Sequence, residues 1–419
     1  MASKSQKLAI PLWTGGFLAG LIIRYFMLLY IGVFDMGAYL EWGKKSLESG
    51  LTSYYHGTYF PIQYQIFEMC VWITARLGAD WAFIFKFSNL IFDTLAFFLL
   101  LFLLKRQGSN PAYALLYWLH PWFLSVFSLG YIDFQFTSLV LLSTHLLRRE
   151  NATHYLLSGI PLGMAFLMKP QALILIVTTF LYGLYHHVRT RDLRPMGMMV
   201  GPVVFFMAYE IYFTVSLSSQ LRYRAAATIL PLSYLNVTNV FPCLTGQMTN
   251  IWYPVAYLLK KPADPIYSVS DQILLLSYLS AKWLATIVVL ALVAFHVFRV
   301  ERNAATVMSD KFVGMFGVAT LMVPFIMTSA HENHLFLGTV FLVLFLGKSY
   351  PVSLKVATHL LLIIQFLNLY GLYGEHPVWI AQPLRTSYSE KLAVVYSVIA
   401  VVCFALILRH LTAKRQQNI

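Results

Sequence analysis

The feature that most constrains this chain is the recurrence, along its whole length, of apolar runs long enough to cross a bilayer. Of its 419 residues, 59% are hydrophobic and only 11% are charged, and the mean hydropathy is +0.67. A soluble domain runs near a quarter charged. The pattern predicts an all-α polytopic membrane protein, embedded in the lipid bilayer. No short apolar segment followed by a small-residue cleavage site precedes the first span, so no removable signal peptide is expected.

The order of charges gives a topology. Spans are expected over 8–34, 81–104, 111–129, 134–148, 154–168, 170–187, 196–216, 272–298, 312–329, 333–347, 353–372 and 391–409. Residues 62–78 are apolar too, but they carry Gln63, Gln65, Glu68 and Arg76, and they read as an interfacial helix. The count is then about 12 spans with both termini on one side. That side holds Lys4, Lys7, Lys105, Arg106, Arg148, Arg149, Arg189, Arg191, Arg194, Arg299, Arg302, Lys311, Lys348, Lys414 and Arg415, the bias of a cytoplasmic face. Counting 62–78 as a span would degrade that bias from Lys105 onward.

The opposite, non-cytoplasmic face collects the remaining polar clusters. It holds a first outer loop over 35–80, headed by Asp35, and then Asp133 in Gly130-Tyr131-Ile132-Asp133. Lys169-Pro170-Gln171 follows, and a long outer loop over 217–271 that carries Arg222 and Arg224. His331-Glu332-Asn333-His334 and Glu375-His376-Pro377 complete the set. No linker, low-complexity tract or repeat divides 1–419, which reads as one domain. The net charge of +13 and pI near 9.5 fit positive-inside loops and anionic lipid heads. Scattered among spans, these charges do not form a nucleic-acid surface. Cys70, Cys243 and Cys403 have no paired spacing, so neither a zinc site nor a disulfide framework is indicated.

Each cluster has a structural and a chemical reading. Asp35 precedes a helical run, Met36–Glu48, and can cap it. The same carboxylate, partly desolvated beside lipid, would have a raised pKa and could take a proton from an attacking sugar hydroxyl. Asp133 can likewise cap the next helix, or present a second carboxylate that binds acceptor hydroxyls. Two carboxylates on one face make a divalent metal possible. With no Asp-x-Asp pair it is not favoured, and no cofactor is expected. Lys169, Arg222 and Arg224 can snorkel to the interface. Cations on the outer face also suit a polyprenyl phosphate, Lys as a point charge and Arg as a fork. His331-Glu332-Asn333-His334 lacks the spacing of a zinc helix. It is expected to open a helix, where a protonated His331, its charge set by Glu332, could stabilise a leaving phosphate. The Pro/Gly-containing stretch from Phe241-Pro242 through Gly246 to Asn250-Ile251-Trp252 reads as a re-entrant element lining a protein cavity. Asn236-Val237-Thr238 is also a glycosylation sequon.

Assembled, the pieces resemble the GT-C superfamily of integral-membrane glycosyltransferases. The likeness rests on Asp35 after the first span, Thr58-Tyr59-Phe60-Pro61 ending the first loop, and the Gly-x-x-Asp turn at Asp133. It continues through Met168-Lys169-Pro170-Gln171, the 241–252 motif and His331-Glu332. These motifs are similar to those of dolichyl-phosphate-glucose glucosyltransferases and of bacterial relatives of the GPI mannosyltransferases, over residues 8–350. The chain departs from the pattern at Ile62, where the family has a second Pro, at Asn333-His334, and in its brief carboxy-terminal part. The resemblance implies a GT-C-like bundle with a structured first extracytoplasmic loop, in a bacterial plasma membrane or an endoplasmic reticulum. It implies an inverting hexosyltransferase, using glucose or mannose on a polyprenyl-phosphate donor and a lipid-linked glycan or glycolipid acceptor. Asp35 would be the base. Lys169, Arg222, Arg224 and His331 would lie near the donor phosphate, and Asp133, Tyr59 and Glu332 would complete the binding site. A multi-span transporter or lipid flippase, with Arg24, Lys86, Asp93 and Glu210 as intramembrane charges, remains the main alternative. A non-catalytic scaffold subunit is a third.

Overall fold

A computed structural model describes residues 4–30, 32, 34–51, 55, 59–218, 242–276, 278–302, 308–347, 351–373 and 389–412. Arg222, Arg224, Asn236 and the segment 375–377 lie outside them. The described chain is helical almost throughout. The first helix, α1 (Lys4–Leu28), is followed by two loop helices, α2 (Phe34–Ser49) and α3 (Pro61–Leu77). Pro61 starts α3, where its missing N–H costs nothing, and Gly78 ends it at φ +62. The helices α2 and α3 pack face to face through Tyr39, Trp42, Tyr64 and Phe67, with Tyr39 stacked on Phe67 at 4.7 Å and Trp42 on Tyr64 at 5.7 Å.

The long helix α4 (Trp81–Arg106) is capped by Asp80, which accepts from Phe83 N at 3.0 Å, and it ends in Lys105-Arg106. The span expected over 111–129 is instead two short helices, α5 (Tyr113–Leu119) and α6 (Pro121–Leu129). Pro121 cannot donate to the helix before it, and His120 turns the chain by accepting from Trp122 N. Next come α7 (Asp133–Leu146), α8 (Ala152–Phe166), α9 (Leu173–Thr190) and α10 (Val200–Ser218). Gly159 and Gly163 on α8 form a small-xxx-small pair against Gly201 of α10. A Cβ on Gly201 would fall 2.0 Å from Gly159 O, so these backbones touch and only glycine fits.

After α11 (Trp252–Leu259) comes a two-stranded antiparallel ribbon, β1 (Leu274–Leu276) and β2 (Leu279–Ser280). The span expected from 272 therefore begins only at α12 (Ala281–Arg302), the ribbon having taken its first turns. The chain closes with α13 (Met308–Ile326), α14 (Phe336–Leu346), α15 (Val352–Tyr373) and α16 (Glu390–Thr412).

Six stretches among the described residues are long and apolar enough to cross a membrane. They are Trp81–Arg106, Pro170–Thr190, Arg194–Val215, Ala281–Arg302, Val352–Tyr373 and Glu390–Thr412. All six fall on spans expected from the sequence; α7 and α14, on two of the others, are 14 and 11 residues long, and α14 is buried along its entire length. At 1.5 Å per residue they cover about 21 and 17 Å, less than a bilayer's roughly 30 Å of hydrocarbon. They are the inner helices of the bundle, wrapped by the longer ones.

Three of the charges inside the bundle, Arg24, Asp93 and Lys86, have protein partners. Arg24 pairs with Asp93, which also accepts from Tyr117, and the guanidinium donates to Trp118 O at 2.7 Å while stacking 3.6 Å above that indole. Lys86 donates to the carbonyls of Met27, Tyr30 and Ser128. These arrangements saturate Asp93 and Lys86 and make them structural.

Candidate active site

At one end of the bundle, short turns bring four chain segments together. Asp35 lies in the first turn of α2, beyond the end of α1, and its acceptor oxygens face Tyr39, one helical turn later on the same face. Tyr39 Oη lies 3.2 Å from Tyr59 Oη, and Tyr55 donates to Tyr59 O at 3.0 Å. Asp35 is thereby held against an aromatic wall but stays half-buried.

Asp133 is the first residue of α7 and is buried. Its side chain caps no helix. Lys169 donates to Oδ1 at 2.6 Å and Asn333 to Oδ2 at 2.9 Å. The ammonium of Lys169 has three N–H donors, one of which is spent on Asp133. Under the turn lies a chain of buried amides: Gln63 donates to Gln135 at 3.0 Å, Gln135 to Asn89 at 2.7 Å, and Asn89 to Tyr131 O at 3.1 Å. It ties α3, α4 and α7 to the Gly130–Asp133 turn.

Glu332 is buried, and its Oε1 accepts from Tyr131 and from Tyr373, each at 2.6 Å, while those hydroxyls lie 3.0 Å apart. His331 Nδ1 lies 3.9 Å from Glu332 Oε2. The His331–His334 segment is a turn, not the first turn of a helix. His334 Nδ1 accepts from His331 N at 3.2 Å, and α14 begins after it. The ring of His331 lies on Gly246, where a Cβ would come within 2.8 Å of it, and Gly246 N donates to Ala330 O at 2.9 Å. This is where the 241–252 motif enters. Asn250 donates to Pro324 O at 3.1 Å, Ile251 N to Phe325 O at 3.4 Å, and Trp252 Nε1 to Ile326 O at 2.6 Å. These bonds satisfy the carbonyls left over at the C-terminal end of α13 and so fix the turn that follows.

Burial, then the charge of Glu332, pushes the carboxyl of Asp35 up to about 6, against the opposing pull of Lys169 and of the Tyr39 hydroxyl. A carboxylate poised there is basic enough to accept a proton and still ionised at neutral pH. Burial holds His331 below its usual value, which Glu332 only partly offsets. That direction disfavours the protonated ring considered from the sequence.

Asp35, Asp133, Lys169, Glu332, His331 and Tyr59 thus share one end of the bundle, with Asp35, Asp133, Lys169 and Glu332 interacting electrostatically. The other end carries Arg106 on the carbonyls of His145 and Leu147, and Arg189 and Lys311 around Glu301. Sequence reading missed Tyr39, Asn333, Tyr131 and Tyr373 as partners and the amide chain altogether. Adjacency to Asp133 and Glu332 was the signal for Tyr131 and Asn333. Nothing in the sequence marks Tyr373.

No family model and no curated protein matches the chain. Among solved structures, the crystal structure of ArnT from Cupriavidus metallidurans in the apo state is similar at 14% identity, covering 96% of this chain and 78% of that one with a TM-score of 0.36. That likeness is too remote to decide either fold or function.

Proposed function

We propose that the chain is an inverting glycosyltransferase of the GT-C type. It would move a hexose from a polyprenyl-phosphate donor to a lipid-linked glycan or glycolipid on the non-cytoplasmic face. The observation that carries this reading is the half-buried Asp35, poised near 6 beside a sealed Asp133–Lys169 pair and a tyrosine-clamped Glu332. In the proposed step Asp35 takes the acceptor hydroxyl's proton as that oxygen bonds to the anomeric carbon. The bond from carbon to phosphate oxygen breaks with its electron pair on the phosphate, and the configuration inverts. The donor N–H groups that Lys169 does not spend on Asp133, with Arg222, Arg224 and an N–H of His331, would hold the departing charge. Tyr59 and Glu332 would line the acceptor side. No metal enters this scheme.

The transport reading draws no support from Asp93 or Lys86, which the protein saturates internally. The test is transfer by purified protein from a panel of polyprenyl-phosphate hexoses into total lipid extract, read by mass spectrometry. Asp35→Asn keeps the side-chain shape, so turnover should fall roughly 100-fold or more with yield unchanged. A near-normal rate in that variant would remove Asp35 as the base.

A further inference from the structure

We propose that Lys86 is a positioning residue, which fixes Asp35 relative to Asp133 by bolting together the two chain turns that carry them. The inference rests on Asp35 being the transferase base and concerns how that base is held.

Lys86 lies on α4 and is fully buried. Its ammonium donates to Met27 O at 3.2 Å and Tyr30 O at 2.5 Å where α1 runs out, and to Ser128 O at 2.5 Å in the last turn of α6. Met27 O, which also accepts from Tyr30 N at 3.3 Å, and Tyr30 O lie where α1 ends, and Ser128 O lies where α6 ends, so the cation meets the negative ends of both helix dipoles. From Tyr30 the chain is five residues from Asp35, and from Ser128 it is five residues from Asp133. One ammonium therefore anchors both approaches.

The two approaches also touch each other. Gly130, at φ +81, faces Met36, the neighbour of Asp35. A Cβ there would fall 2.3 Å from Met36 Sδ and 3.5 Å from Lys86 Cε. At Gly32, φ +93, a Cβ would fall 2.9 Å from Leu129 O. Three residues along α4, Asn89 holds Tyr131 O, so the same helix grips the second turn at two points. Through these contacts at Gly32, Met36, Gly130 and Tyr131, Lys86 sets the place of Asp35 beside Lys169, Asp133 and Glu332.

The experiment compares unaltered protein with Lys86→Met, Lys86→Gln and Met36→Ala, alone and combined with Asp35→Asn. Each is normalised to monodisperse protein and assayed with the polyprenyl-phosphate hexose that the panel identifies. A base moved by about an ångström costs on the order of 100-fold in rate. Lys86→Met should lose turnover on that scale while the donor KM stays within about twofold. Lys86→Gln, which still donates to carbonyls, should recover part of the loss. In the Asp35→Asn background Lys86→Met should have no further effect, because it acts through Asp35. Normal turnover per folded molecule in Lys86→Met, or a full further loss in the double variant, would overturn the proposal. Should Lys86→Met yield no folded protein, normal rates in both Lys86→Gln and Met36→Ala would overturn it equally. If Asp35→Asn itself turns over normally, the base assignment fails first; if it is inactive while every Lys86 variant is normal, only the positioning role fails.

Discussion

The charge of Glu332 matters to Asp35 more than that of any other residue nearby. Among the described residues, the groups that interact with Asp35 include Glu332, Lys169, Asp133, Tyr39, Tyr59, Tyr131 and Tyr373. Burial raises the Asp35 carboxyl most, and Glu332 comes second. As a base Asp35 works ionised, so the rate should rise with pH through about 6. Glu332→Gln removes a neighbouring negative charge and makes ionisation easier. The acid limb of kcat/KM should therefore move to lower pH, and a limb that stays put or moves up would exclude this coupling. The charged members of the site were legible in the sequence because a charge at the end of an apolar run has no bland surroundings to disappear into. Tyr39 and Tyr373 were not, being two of 26 tyrosines in a chain where aromatic residues fill spans, loops and site alike. Arginine and lysine positions were legible as span ends but not by partner. Spacing shows that Lys169 stands at the end of a span, whereas its bond to Asp133 is a fact of packing between segments 36 residues apart.

At the level of elements, the stretch from Asn250 to Trp252 shows how an irregular segment can hold a helix end. Three donors in sequence meet three successive carbonyls, Pro324 to Ile326. A buried carbonyl stripped of its partner costs about 1–3 kcal/mol. Asn250→Ala should lower the thermal midpoint in detergent by that equivalent, whereas an exposed control such as Lys261→Ala should not. An unchanged midpoint would mean that the cap contributes nothing. The motif was visible as a Pro/Gly-containing element at membrane depth, but its bonding partner was not, because Pro324 lies 74 residues away on another helix. Element boundaries failed in the same places for local reasons. Pro121 divides a run of even hydropathy, and the ribbon at 274–280 is as apolar as the helix it precedes.

Across the described residues, Arg106, Arg189 and Lys311 gather at one end of the bundle, and Asp35, Asp133, Lys169 and Glu332 at the other. That sidedness can be read directly, since Cys70, Cys243 and Cys403 are all buried and give little background. On intact cells a membrane-impermeant maleimide should label Lys45→Cys, on the exposed side of α2, and should label Arg149→Cys only after permeabilisation. The reverse pattern would invert the proposed orientation. What composition could not show is that the spans are unequal. Hydropathy counts apolar residues without saying whether lipid or protein faces them, and α14, apolar throughout, is buried in protein along its entire length.

The shortness of the inner helices has a mechanical consequence. Both α7 and α14 start at the site and reach only about 17–21 Å toward the other end. Neither can cross roughly 30 Å of hydrocarbon alone. Their side chains meet protein rather than lipid, α14 along its whole length. A substitution on α14 should therefore act as a change of core volume does, through packing, and not through altered contact with lipid.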